Sequence, residues 1–227
     1  VFLGNVDAPA NYRGNDYKFR QDSTFLYFWG IDEPCFAAVL DLETGAETLY
    51  ADDVDIDDIV WMGPQPSVRS KAELVGVGEN AGSTQDGVSA PYCKFFEAVA
   101  VAKAAGRLVH FVPQSRYYNQ MRLAQVLGLA PELVSSRKLD GDSAASKALV
   151  RAIVSMRLVK QDCEIEAIDD ACDLGIEMHT IAREGCRPGV LEQKIVGRME
   201  GITLSKGWGV SFTTILSQNG ETLHNHT

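Results

Sequence analysis

Leu108-Val109-His110-Phe111-Val112, closed by Pro113, is a short apolar run of strand type set between two segments of helical grain. On its N-terminal side, Phe95 to Ala105 is alanine-rich and stops at Gly106. On its C-terminal side, Met121 to Leu127 is helical and stops at Gly128. Ser143 is then a fair N-cap for an Ala/Leu/Val helix reaching about Met156. Strands alternating with helices predict an α/β layered domain.

Upstream, residues 1–60 read as strand and turn. Val1-Phe2-Leu3 looks like the middle of a strand, and Phe25-Leu26-Tyr27-Phe28-Trp29 is an aromatic run closed by Gly30. Ala37 to Leu40 and Glu47 to Tyr50 flank an Asp-Leu-Glu-Thr-Gly turn containing Gly45, which predicts a hairpin. Downstream of Lys160 the pattern changes. Ile165, Ile168, Cys172, Gly175, Met178 and Ala182 recur at steps of three or four, one face of an amphipathic helix. Arg187-Pro188-Gly189 breaks it, and a second such helix buries Val190, Ile195, Val196, Met199 and Ile202. Val210 to Leu216 is strand-like and leads to Asn219-Gly220, a hairpin-type turn. We place a domain boundary near residues 155–160, giving domains 1–155 and 156–227.

The charge is unevenly placed. Residues 1–60 carry 13 acidic and 3 basic side chains, which accounts for the whole net charge of −10. An excess that is all negative is unsuited to a phosphate backbone, so no nucleic-acid partner is expected. No apolar run approaches the roughly 20 residues that cross a bilayer, so no membrane partner is expected either. Five widely spaced cysteines without a CxxC form neither a disulfide framework nor a zinc knuckle; reduced thiols in a cytosolic protein are the expectation. No signal peptide is visible, though a targeting segment upstream of Val1 stays open.

Candidate chemistry is sparse. Gly76-Val77-Gly78-Glu79-Asn80-Ala81-Gly82 has the glycine density of a phosphate loop but not the G-x-G-x-x-G spacing, and it reads as a plain loop. Asp53, Asp55 and Asp57 alternate like calcium ligands, yet an EF-hand loop would need Gly and Glu where Asp58 and Pro64 stand, so a solvated loop is expected. There is no G-x-S-x-G or H-E-x-x-H. His110 reads as a core or edge histidine and His179 as packed or surface. His224 and His226 follow a turn one residue apart, on the same side of an extended chain, where imidazoles can donate protons or bind anions.

Two stretches carry a resemblance. Phe19-Arg20-Gln21-Asp22-Ser23-Thr24-Phe25-Leu26-Tyr27-Phe28-Trp29-Gly30, with Glu33-Pro34 following, resembles the N-terminal domain of the Xaa-Pro aminopeptidases (aminopeptidase P). A second begins at Met156-Arg157-Leu158-Val159-Lys160 and Glu164-Ile165, then runs through Cys186-Arg187-Pro188-Gly189-Val190 and Glu192 to Ser217-Gln218-Asn219-Gly220-Glu221-Thr222-Leu223-His224. It resembles the opening of the same family's pita-bread metallopeptidase domain. The resemblance implies an α/β N-terminal domain, a mixed β-sheet flanked by helices, followed by a truncated α+β pita-bread domain.

It also implies a cytoplasmic homodimer or higher homo-oligomer that removes the N-terminal residue from peptides with proline second. Two divalent metal ions, commonly Mn²⁺, would activate the attacking water and stabilise the tetrahedral intermediate. His224 matches the family's Leu-His step, whose histidine helps stabilise that intermediate. Trp61, in Asp58-Ile59-Val60-Trp61-Met62-Gly63, matches a tryptophan that in such relatives reaches a neighbouring subunit's active site. Its aromatic face suits a proline ring. The family's metal ligands lie downstream of the Leu-His step, so this chain is expected to bind no metal and to be inactive by itself. The alternatives are a non-catalytic pita-bread module that binds peptides or proteins, prolidase, which takes dipeptides only, and creatinase.

Overall fold

The computed structural model describes residues 1–12, 14–77, 89–135 and 144–220. Two compact units emerge, Val1–Ser155 and Met156–Thr227.

The first unit is built on a mixed sheet of β1 (Phe2–Leu3), β2 (Ala37–Leu40), β3 (Glu47–Tyr50) and β4 (Ser89–Ala90), in that spatial order. β1, β2 and β3 are antiparallel neighbours, whereas β3 and β4 run parallel. The predicted hairpin is present. Asp41 accepts from the Glu43 and Thr44 amides at its corner, and Gly45 takes φ 74°. Arg107 donates twice to the Asp41 carboxylate, at 2.8 and 2.7 Å. That bond and the turn amides hold the carboxyl well below its usual range.

The two-residue period of a strand explains the layers. Phe2, Ala38 and Leu49 are joined by register and share one face with Phe25, Trp29, Val68 and Ile153. Leu3, Ala37 and Tyr50 share the other with Phe95, Val99, Leu123 and Val134. Helices α1 (Ser23–Trp29), α2 (Ile56–Met62) and α3 (Val68–Leu74) precede β4; α4 (Tyr92–Ala104), α5 (Tyr117–Leu127), α6 (Pro131–Val134) and α7 (Lys147–Leu158) follow it. α1, α3 and α7 supply the first core, and α4, α5 and α6 the second. This is the expected mixed sheet flanked by helices.

Local structure departs from the sequence reading at several places. The aromatic run is α1, not a strand. Asp22 caps it through the Thr24 and Phe25 amides, Gly30 (φ 64°) ends it, and Phe25 and Trp29, four residues apart, are both buried and stack at 5.1 Å. Such capping overrides the β preference of aromatic side chains. Leu108 to Val112 forms no strand. Its carbonyls meet single partners, His110 the backbone nitrogen of Val1 and Phe111 that of Ser146, so no ladder develops. The helix expected from Ser143 begins at Lys147, with Ser146 accepting from the Leu149 amide; Ser143 itself lies outside the described residues.

The second unit contains α8 (Asp162–Gly185) and α9 (Glu192–Ser205). A capping box of Gln161 and Glu164 starts α8. Only Leu174 of α8 is buried, and Ile165, Ile168 and Cys172 of the expected buried face are exposed. α9 buries Ile195 and Met199 as expected, and Thr203 besides. Val210 to Leu216 is not a strand, because no partner strand among the described residues pairs with it. The Asn219-Gly220 turn is nevertheless set, with φ of 57° and 67°, the sign a type I′ hairpin turn needs at both central residues.

Tyr92, at the start of α4, offers a stability test. Its ring packs edge-on against Phe96, and its buried hydroxyl has no hydrogen-bond partner among the described residues. Burial, then Tyr118, pushes the phenol well above its usual range. A raised folded-state value means the neutral ring's stability is intact below about pH 10 and is lost as pH rises beyond. Tyr92→Phe is therefore expected to match or exceed the parent's stability at pH 8, within about 1 kcal/mol. It should also lose less between pH 9 and 11. Urea midpoints at the three pH values check both.

Candidate functional site

The acids of residues 52–58 are exposed, as expected of a solvated loop, but three of them also bond helix amides, and Asp57 and Asp58 lie in α2. Asp52 accepts from the Tyr92 amide at 3.0 Å, Asp53 from the Val68 amide at 2.6 Å and Asp55 from the Asp58 amide at 2.8 Å. Three nearby carboxylates thus serve the first turns of three different helices, α4, α3 and α2. The favourable match is a carboxylate against the unpaired N–H groups and positive end of a helix. α4 depends on this help, since Pro91 at its N-cap offers no side-chain bond. The sequence held one local signal that was missed: Asp55 followed by Asp57 and Asp58 is a cap with an acidic first turn.

α2 carries Trp61. None of its residues is buried. Trp61 is 87% exposed, with Ile56 at 80%, Val60 at 75% and Met62 at 56% beside it in sequence. One short helix therefore presents a cluster of large apolar side chains that neither core uses. Trp61 is available for contact with something outside the unit, which is what a substrate wall or a neighbouring chain requires.

His224 and His226 lie outside the described residues, so the structure does not place them against Trp61. Most of the glycine-rich loop, from Gly78 on, lies outside them as well. His110 is half-buried and contacts the Ser146 hydroxyl through Nδ1 at 3.0 Å, as suits a structural histidine. His179 is exposed on α8.

The Arg-Gln-Asp-Ser motif is a structural joint. Gln21 Oε1 accepts from the Asn5 and Asp22 amides at 2.7 and 2.9 Å. Its Nε2 donates to the Ile31 and Glu33 carbonyls at 3.1 and 2.7 Å. Asp22 caps α1, and exposed Arg20 reaches the Ser23 hydroxyl. The motif ties the end of β1 to both ends of α1.

A cavity of about 570 Å³ opens elsewhere in the first unit, between Phe2, Val39, Val99, Leu108 and Leu149, with Asp41 and Arg107 at its edge. Those two charges already satisfy each other, and Trp61 does not line it. Its lining offers no nucleophile with an adjacent base. The five cysteines are exposed and unpaired. Cys35, the one with a positive φ (61°), has its thiol pushed up by partial burial and by Asp7 and Asp52, which disfavours the reactive thiolate. Among the described residues, no three His, Cys, Asp or Glu side chains are placed to hold a metal ion, and no helix is long and apolar enough to cross a membrane.

Comparison with known proteins bears on this arrangement. Residues 1–86 match the family "Aminopeptidase P, N-terminal domain". A probable Xaa-Pro aminopeptidase of Aspergillus fumigatus is 23% identical over 222 residues, 96% of this chain and 41% of that protein. One from Aspergillus flavus is 46% identical over 69 residues, 30% of this chain and 13% of that protein. Among solved structures, proline aminopeptidase P II from Yersinia pestis superposes with a TM-score of 0.68 at 22% identity. A zinc-substituted aminopeptidase P from E. coli, in complex with product, gives 0.66 at 21%. Each match covers 91% of this chain and 45% of the other. The likeness to these structures is one of fold, and the chain spans about two-fifths of the length of the curated relatives it matches end to end. The match to the aminopeptidase P N-terminal domain, residues 1–86, spans the Arg-Gln-Asp-Ser and Glu-Pro stretch that carries the resemblance.

Proposed function

We infer that this chain is part of an Xaa-Pro aminopeptidase, an enzyme that releases the N-terminal residue from peptides with proline in second position. The observation that carries the reading is the end-to-end similarity: 96% of the chain aligns with 41% of a probable Xaa-Pro aminopeptidase, within which residues 1–86 match the N-terminal domain. Residues 1–155 form that domain, and residues 156–227 form the opening of the pita-bread domain. The whole enzyme acts in the cytoplasm as a homo-oligomer and uses two divalent metal ions, Mn²⁺ by preference.

Among the described residues no three His, Cys, Asp or Glu side chains are placed to hold a metal ion, and Asp52 and Asp53 already accept from helix amides. On this reading, as the resemblance implies, the metals are held by residues downstream of the Leu-His step, and 1–227 is inactive without them. Two of its own residues serve the reaction. His224 donates to the developing oxyanion, and Trp61 supplies an aromatic wall for the proline ring in a neighbouring subunit.

A non-catalytic binding module would use the same exposed α2 cluster, so the two readings separate outside this chain. The reading frame past the Thr227 codon is the test. Continuation into two aspartates, a histidine and two glutamates supports the enzyme; a frame that runs on without them supports the binding module.

A further inference from the structure

α2 is held out from the core on a loop with a closed base. Every residue from Asp55 to Ser67 except Gly63 is exposed, whereas Ala51 and Val68, just outside that stretch, are each 5% exposed. The chain thus leaves the core after Ala51, carries seven residues of helix through solvent, and re-enters at Val68. An isolated helix of seven residues is unstable in water, and without a buried side chain α2 draws nothing from tertiary packing. The outgoing and returning chain are joined by a bond from the Val68 amide to Asp53 Oδ1 at 2.6 Å, spanning fifteen residues. Asp52, one residue earlier, is bonded to the start of α4, so the outgoing side of the clasp is anchored in turn. The returning side is stiffened by Pro64 and Pro66, whose rings fix φ. Trp61 sits near the apex of this closed loop.

We propose that the Asp53–Val68 bond is a clasp that sets where Trp61 is presented, making Asp53 a positioning residue of the site inferred above; the proposal rests on that reading of Trp61. The bond needs an acceptor at position 53 and an N–H at position 68, not a negative charge. Asp53→Asn keeps the acceptor and Asp53→Ala removes it. Val68→Pro removes the donor from the other side, at the first helical position, where a proline ring is tolerated.

The test is the backbone order parameter of Trp61 in the ¹⁵N-labelled 227-residue chain, with buried Trp29 as internal control. In the parent and in Asp53→Asn it should be about 0.85; in Asp53→Ala and Val68→Pro it should fall below about 0.6 while Trp29 is unchanged. An unchanged Trp61 value in Asp53→Ala overturns the clasp. So does an equal fall in Asp53→Asn, which would make the effect one of charge. A parallel fall at Trp29 in both clasp variants overturns it too, as general loosening. In the longer enzyme, Asp53→Ala should raise KM for an Xaa-Pro peptide about fivefold with kcat retained, and should add nothing on a Trp61→Ala background. A fall in the order parameter with no change in KM would retain the clasp and overturn the role given to Trp61.

Discussion

Gln21→Leu is expected to lower the thermal midpoint of the first unit by about 10 °C or more, an unfolding cost of about 3–5 kcal/mol for a domain of this size. Gln21 is 3% exposed and uses both ends of its amide twice. Leucine fills a similar volume but leaves the Asn5 and Asp22 amides without an acceptor and the Ile31 and Glu33 carbonyls without a donor. The Asn5 and Ile31 bonds are fully buried, so water cannot replace the lost partners without opening the joint. The site is already closely packed: a Cβ on Gly4 would stand 2.7 Å from the Phe36 carbonyl oxygen and 3.0 Å from Gln21 Oε1. Scanning calorimetry of the two chains decides the matter. A shift of only about 1–2 °C would mean that the joint relaxes and that the motif's glutamine is not a structural pin.

Trp61→Ala is expected to show the opposite profile. With the indole 87% exposed and α2 outside both cores, the thermal midpoint should stay within about 1 °C of the parent. In the longer enzyme, loss of the aromatic wall should raise KM for an Xaa-Pro peptide about tenfold or more, the equivalent of about 1.4 kcal/mol of binding. Because the tryptophan is assigned to the neighbouring subunit's site, subunits can be mixed. Oligomers combining Trp61→Ala with His224→Ala chains should recover a KM near the parent's, which Trp61→Ala oligomers lack, since some sites then pair an intact His224 with an intact Trp61. Kinetics on the mixed and unmixed proteins read this directly. Equal KM in mixed and Trp61→Ala samples would place the tryptophan's action within its own subunit.

The sequence was most legible where period and punctuation agreed. The β2–β3 hairpin follows from two apolar runs about a glycine-bearing turn, and α4 and α5 end where Gly106 and Gly128 stand. It misled where local bonding outweighed composition. Aromatic residues suggested a strand at 25–29, but Asp22 and Gly30 close a helix around them. Alternating acids suggested open solvent at 52–58, and they are exposed, yet Asp52 and Asp53 also accept from helix amides 40 and 15 residues away, a relation that no local pattern contains. Leu108 to Val112 had the right residues for a strand, but among the described residues its carbonyls meet single partners and no ladder forms. The candidate site was legible only in part. Trp61 was nominated by resemblance and stands exposed on α2. His224 was nominated in the same way and lies outside the described residues.

Hydrolysis of an Xaa-Pro peptide tests the central claim most directly, comparing the 227-residue chain with the longer polypeptide that continues past Thr227, each with Mn²⁺ and with EDTA. The account predicts release of the N-terminal residue by the longer protein, abolished by EDTA and absent when the second residue is alanine, with no turnover by the 24.8 kDa chain. EDTA-sensitive turnover by the 24.8 kDa chain would contradict the assignment of the metal ligands to the downstream polypeptide. Inactivity of the longer protein on every Xaa-Pro peptide tried would contradict the aminopeptidase itself and leave the binding module.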